Sequence, residues 1–251
     1  MRTVVISGAG SGIGRAIAQK LAAQNYTVMV LGLNREKLTE TRALLENPDT
    51  HSVVVADVRD KAAIAAGLRD SGIVALNGVV ANAGVGGENL YGENDRWDEV
   101  LATNLTGVYY LVNECLPYLR KGAGETKHVV LMSSILARLG VPDYSAYCAS
   151  KAGLLGLMRS WAVQFAPDNI LVNSICPGWV ETEMAREGIQ AFAEKTGQPY
   201  AEARRRQLSQ VPLRRMSQPE EIASLVSYLF SNEQASFTGQ AFDMNNGALM
   251  V

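Results

Sequence analysis

Seven short runs of β-branched and aliphatic residues punctuate this chain, and the stretches between them are long enough for helices. The runs are TVVIS at Thr3 to Ser7, TVMVL at Thr27 to Leu31, HSVVVA at His51 to Ala56 and GVVA at Gly78 to Ala81. HVVLMS at His128 to Ser133, ILVNSI at Ile170 to Ile175 and QAFDM at Gln240 to Met244 complete the set. Strands this continuously apolar are buried on both faces, which is the mark of a parallel sheet covered by helices. Between the first two runs, Ile13, Ile17 and Leu21 recur every four residues and share one face of a helix expected over Ile13 to Gln24. The alternation predicts an α/β fold: a doubly wound parallel sheet of about seven strands with helices on both faces. A length of 251 residues, with no internal repeat, low-complexity tract or Pro/Gly/Ser-rich linker, predicts one domain over 1–251. One polar, charged segment breaks the alternation, Glu183 to Gln218. It follows the carboxyl end of the sixth strand, where ligands bind in such sheets, and is expected to form a lid.

Charge and cysteine content exclude several classes of function. Charged residues make up 19% and the net charge is -2, so no excess of basic charge invites nucleic acid. No apolar stretch approaches the ~20 residues that span a bilayer, and no signal-like segment precedes the first strand. The chain is therefore expected to begin at residue 1 and to have no membrane partner. Cys115, Cys148 and Cys176 are odd in number and far apart, which suits a reducing cytoplasm and neither a disulfide framework nor a Cys-x-x-Cys site. His51 and His128 each open a strand without a second ligand nearby, so no metal is expected.

SGAGSGIG, Ser7 to Gly14, joins the first strand to the first helix. Glycines there let the backbone turn tightly and approach a pyrophosphate, whose charge meets free N–H groups and the positive end of the helix. The order Gly8, Gly12, Gly14 departs from Gly-x-Gly-x-x-Gly, and the loop lacks the Gly-Lys-Ser/Thr ending of a nucleoside-triphosphatase. Gly8, Ser11, Gly12, Ile13 and Gly14 are its expected phosphate-facing residues.

Further on, VPDYSAYCASKAG holds two tyrosines and a lysine. Residues four apart share a helix face, so Tyr147 meets Lys151 and Tyr144 does not. A phenol is a weak base at neutral pH, and a neighbouring cation is expected to lower its pKa. LMSSI places Ser133 and Ser134 at the end of the fifth strand, where a hydroxyl would hold a substrate oxygen near that phenol. Cys148, with no histidine partner, reads as a small packing residue.

Taken in order, these motifs resemble the classical short-chain dehydrogenase/reductase family from Ser7 to about Asp243. The glycine loop, ADV with Asp57 and Val58, ANAG at Ala81 to Gly84, Asn104 in ATNLTG, Ser134, Tyr147-x-x-x-Lys151 and PGWVET at Pro177 to Thr182 carry the likeness. Ser7, Ala81 and NNG at Asn245 to Gly247 depart from the family pattern. The resemblance implies a Rossmann-like NAD(P)-dependent oxidoreductase interconverting a secondary alcohol and a ketone, with Asn104, Ser134, Tyr147 and Lys151 as catalytic tetrad. It selects Ser134 over Ser133 and assigns cofactor contacts to Asp57, Val58, Asn82, Ala83, Gly84, Tyr147, Lys151, Pro177, Gly178, Val180 and Thr182. Tyr144 either lines the substrate pocket or packs at the helix start. At the adenosine end, Gly32 stands where NAD-selective members carry a carboxylate, and Leu33, Asn34 and Arg35 follow, which favours NADP(H) over NAD(H). The implied partners are a small carbonyl or alcohol substrate and three further copies of the chain in a homotetramer. A non-catalytic dinucleotide sensor of the same fold is the alternative, and Arg204 to Arg206 read as a solvated basic helix face or a grip for a coenzyme A or carrier-protein phosphate.

Overall fold

A computed structural model describes residues 2–93, 95–121, 126–231 and 235–250. β1 (Arg2–Ser7), β2 (Tyr26–Gly32), β3 (Ser52–Val55), β4 (Gly78–Ala81), β5 (Lys127–Met132), β6 (Ile170–Pro177) and β7 (Ala241–Met244) pair in parallel. Their order is β3-β2-β1-β4-β5-β6-β7. All seven expected strands are present, shifted by a residue or two at their ends. The order reverses between β1 and β4, so connections leave that seam in opposite directions and open a crevice at its carboxyl ends.

Helices cover both faces. α1 (Gly12–Ala22), α2 (Arg35–Ala43) and α9 (Pro219–Leu229) pack one side, where Ile17, Leu21, Leu38, Ile222 and Val226 meet Val4, Ile6, Val28 and Val30. α3 (Lys61–Asp70), α5 (Gly107–Lys121) and α6 (Ser145–Phe165) pack the other, where Ile64, Leu111, Cys115, Leu154 and Trp161 meet Val5, Met29, Val79 and Val129. Each fully buried side chain of this kind contributes about 1.5–3 kcal/mol, which explains why successive strand residues are apolar on both faces. Local chemistry fixes the helix starts. The Asp60 carboxylate accepts from Ala62 and Ala63 N–H to begin α3, and Gln218 and Glu221 form a reciprocal capping box at α9.

The long polar segment after β6 is also helical. α7 (Glu183–Thr196) and α8 (Tyr200–Leu208) form a small third cluster in which Ala185, Ile189, Ala193, Ala203, Leu208, Val211 and Met216 are buried. Before α5 the chain runs through α4 (Trp97–Leu101) and one widened π-helical turn at Ala102–Thr106. The two histidines are structural. His51 accepts from Val28 N–H through Nδ1 and contacts the Glu46 carbonyl through Nε2, and His128 lies against Phe230.

Candidate active site

Ser7 closes β1, and Gly8 turns the chain with a φ of 65° that disfavours side chains. A Cβ at Gly8 would lie 2.9 Å from both Ala83 Cα and Asn82 Nδ2, and one at Gly14 would strike the Gly8 carbonyl. The loop is therefore pressed against the end of β4. Ser7 Oγ accepts from both Asn82 and Ala83 N–H at 3.0 Å, and Asn82 Nδ2 donates to the Ser7 and Gly8 carbonyls at 3.1 and 3.2 Å. Asn82 thus shapes the loop. On the open side, Ser11 is an exposed N-cap whose side chain makes no capping bond, and Ile13 is partly buried on α1. A Cβ at Gly12 would reach to 3.1 Å from Thr182 Cγ2, which brings the start of α7 to the glycine loop. These N–H groups, the bare backbone and the α1 terminus fit a dinucleotide pyrophosphate.

At the adenosine end, β2 stops at Gly32, Leu33 is 66% exposed, and Asn34 accepts from Lys37 N–H to cap α2. Arg35 is exposed at the first position of α2, and β2 ends at Gly32 without a carboxylate. Asp57 is bound by Arg59 at 2.6 Å, a hydrogen bond that holds its carboxyl below the usual range. Val58 is buried against Gly107.

The remaining site residues gather at the carboxyl ends of β4, β5 and β6. Asn104 lies in the π-helical turn, fully buried. Its Oδ1 accepts from Val85 N–H at 2.8 Å, and its Nδ2 donates to the Val85 carbonyl at 2.9 Å and to Ser150 Oγ at 3.3 Å. Ser150 Oγ in turn donates to the Tyr147 carbonyl at 2.8 Å. A Cβ at Gly84 would stand 3.1 Å from Asn104 Oδ1 and 3.4 Å from Lys151 Nζ, so only glycine leaves this gap open.

Lys151 is 4% exposed and donates to the Met132 carbonyl at 2.9 Å, its Nζ 5.5 Å from the centre of the Tyr147 ring. The i, i+4 spacing thus produces the expected pairing. Ser133 and Ser134 separate cleanly: Ser133 Oγ donates to the Lys151 carbonyl at 2.9 Å, whereas Ser134 Oγ accepts from Leu136 N–H at 3.1 Å and sits close enough to Tyr147 to favour its ionised form. Tyr144 stands edge-on to Tyr147, ring centres 6.4 Å apart.

The charge states differ from the sequence expectation. Burial pushes the Tyr147 phenol up to about 12, opposed by the neighbouring Ser134, and burial pulls Lys151 down to about 8. From sequence the ammonium is expected to lower the phenol; here Ser134, not Lys151, is what opposes burial, and the ammonium faces the ring and donates to the Met132 carbonyl. A neutral phenol beside a hydroxyl and a buried amine is a proton donor at neutral pH.

On the far wall, Gly178 N–H donates to the Met244 carbonyl, Val180 bridges to Ser217, and Thr182 accepts from Ala185 N–H to cap α7. A Cβ at Gly178 would lie 3.0 Å from Asn245 Cα, and Pro177 ends β6 beside Met244. Asn245 Oδ1 accepts from Gly247 and Leu249 N–H, so the NNG departure is a self-bonded turn. Two of the three arginines have partners within this segment: Arg204 pairs with Glu181 at 3.1 Å, and Arg206 lies over the Phe192 ring, while Arg205 is exposed. Cys148 Sγ faces the Leu139 carbonyl at 3.8 Å.

Residues 8–248 match the family model described as enoyl-(acyl carrier protein) reductase. Nodulation protein G of Rhizobium sp. (strain N33) is 34% identical, covering 100% of this chain and 98% of that protein. The 3-oxoacyl-[acyl-carrier-protein] reductase FabG of Thermotoga maritima is 32% identical, covering 99% and 98%. Among solved structures, an actinorhodin polyketide ketoreductase variant with NADPH superposes with a TM-score of 0.91 at 31% identity, covering 98% and 97%. Levodione reductase gives 0.89 at 29%, covering 98% and 96%. Matched along nearly its whole length by sequence and by fold, the chain belongs to the short-chain dehydrogenase/reductase family and is an NAD(P)-dependent oxidoreductase.

Proposed function

We propose that this chain reduces a ketone to a secondary alcohol, and catalyses the reverse reaction, with Ser134, Tyr147, Lys151 and Asn104 as its catalytic tetrad. The observation that carries this reading is the Tyr147 phenol one helical turn from the buried Lys151, whose Nζ lies 5.5 Å from the phenol's ring centre, beside Ser134 just past the end of β5. Ser134 holds the substrate oxygen. Tyr147 gives that oxygen its proton in reduction and takes it back in oxidation. Lys151, drawn down to about 8, is predominantly an ammonium at neutral pH and orients the nicotinamide ribose while restoring charge balance. Asn104, locked onto Val85, anchors a water that relays protons toward Lys151. The bound nicotinamide supplies or accepts the hydride.

Gly8, Ser11, Gly12, Ile13 and Gly14 would hold the pyrophosphate, Asp57 and Val58 the adenine, and Ala83, Gly84, Pro177, Gly178, Val180 and Thr182 the nicotinamide end. NADP(H) is favoured over NAD(H) because Gly32 places no repelling carboxylate at the ribose 2'-position while Arg35 stands exposed nearby. The polyketide ketoreductase similar to this chain is described with NADPH, which supports the same choice. The chain works as one domain, cytoplasmic, with residues 183–218 as lid and a homotetramer as its assembly. Among the described residues no helix is long and apolar enough to cross a membrane, and all three cysteines are free.

The test is Tyr147→Phe, which keeps the ring and removes only the acid. Loss of about 10²-fold or more in kcat for ketone reduction, with dinucleotide binding retained, is expected. A variant within tenfold of wild type would move the acid to Tyr144. Dinucleotide binding without turnover over a broad ketone panel would instead favour the sensor.

A further inference from the structure

α7 runs from the glycine loop toward the start of α6, and each end is tied by charge. Near its first turn, Glu183 pairs with Lys37 of α2 at 3.1 Å, and Met184 Sδ is 3.1 Å from where a Gly86 Cβ would sit. Near its last, Lys195 Nζ donates to Glu88 Oε1 and Oε2 at 3.1 and 3.3 Å and to Asp143 Oδ2 at 3.0 Å. Those two carboxylates come from different walls. Glu88 follows β4, and Asp143 sits in the turn that enters α6.

The same two segments are stitched together directly. Asn89 N–H donates to the Asp143 carbonyl at 2.5 Å, and Asn89 Nδ2 donates to Ser145 Oγ at 3.3 Å. Asp143 has a φ of 65°, a left-handed conformation that side chains other than Asn and Asp seldom adopt, so the turn depends on the contacts that hold it. The next residue is Tyr144, edge-on to Tyr147. One ammonium on α7 therefore grips both borders of the site next to the reacting phenol.

Resting on the reading of residues 183–218 as the lid of a ketone-reducing site, we propose that Lys195 is a positioning residue that clasps the lid to both walls and thereby sets Tyr144 against Tyr147 around the substrate. Lys195 touches no reacting atom. Exposed ion pairs are individually weak and are screened by salt, which suits a closure that must reopen in every turnover.

Three variants test it: Lys195→Met, Lys195→Arg, and the double variant Glu88→Gln with Asp143→Asn, since asparagine tolerates the left-handed φ. Lys195→Met is expected to raise KM for the ketone about three- to tenfold with kcat within about twofold, and Lys195→Arg to restore it. Added salt should raise the wild-type KM but leave Lys195→Met and the double variant unchanged. A KM within about twofold of wild type in Lys195→Met, or no rescue by arginine, overturns the proposal. Hydrogen exchange of the α7 amides, measured without substrate, should quicken in Lys195→Met alone of the two lysine variants, and unchanged exchange also overturns it. If the wild-type protein turns over no ketone, the proposed reaction fails, while the exchange measurement still decides the clasp.

Discussion

Ser7 is a small side chain that accepts from two backbone donors, and both lie just past the end of β4, 75 or so residues away. Removing its oxygen leaves the Asn82 and Ala83 N–H groups without their acceptor at the foot of the glycine loop. Ser7→Ala is expected to cost about 1–3 kcal/mol and to raise KM for the dinucleotide, while Ser7→Thr keeps the hydroxyl and stays near wild type. Urea denaturation and cofactor titration check both halves. Arg35 makes a second prediction at this scale. Losing a cation that meets a 2'-phosphate costs several-fold to about tenfold in kcat/KM with NADP and little with NAD. Arg35→Ala with unchanged NADP use would show that Arg35 is not that contact. The Tyr147–Lys151 pairing was legible in sequence because it depends only on helix geometry. Residue chemistry alone left Ser133 and Ser134 alike and only the family resemblance selected Ser134; the bond of Ser133 to the Lys151 carbonyl was not legible, because it forms only where the strand meets α6. The rise of the Tyr147 pKa was equally hidden, since it comes from how deeply the phenol is buried.

Elements with apolar residues to spare point toward assembly. α6 carries buried Leu154, Met158, Trp161 and Phe165 on one side, yet Ala149, Ala152, Gly156 and Val163 on the other are exposed, Val163 at 79%. On α5, Tyr109 is 46% exposed and stacks on Trp161 with ring centres 6.1 Å apart. Faces of this kind on two long neighbouring helices suit contact with further copies of the chain. Light scattering at micromolar concentration is expected to give four times the 27.0 kDa chain mass, and Val163→Glu to lower it. All seven strands were visible in sequence because burial on both sides leaves unbroken aliphatic runs. The helices of the 183–218 segment were hidden because their apolar residues serve a small local cluster and most of their surface is polar.

At the level of the whole molecule, the doubly wound parallel sheet was legible in the alternation of strands and helices, whereas the strand order came from the structure, since right-handed crossovers narrow the arrangements without choosing one. The floor of that sheet carries a pH-dependent weakness. His128 is 5% exposed, its Nδ1 has no partner among the described residues, and its ring centre lies 5.1 Å from that of Phe230. Burial holds its pKa at about 4, below the 6.5 of a free histidine. The unfolded chain therefore binds this proton first as pH falls. The stability is intact above pH 6.5 and is lost progressively toward pH 4, by ~3 kcal/mol. Urea unfolding at neutral pH and at about pH 4 should show a smaller difference in His128→Leu than in wild type, and equal differences would contradict the assignment.

The widened turn at Ala102–Thr106 has its own consequence. Val100, Asn104, Val108 and Val112 are buried at a steady spacing of four, longer than the 3.6 of a regular helix. The helix thus carries surplus length, and the surplus falls where Asn104 turns inward to grip Val85. A regular helix is the lower-energy path for the backbone, so this segment holds a local compromise between packing and chemistry. In evolutionary terms, the loss of a single codon there is expected to give a smoother helix with its asparagine aimed elsewhere, so on the proposed role of Asn104 the widened turn would trade helix stability for turnover.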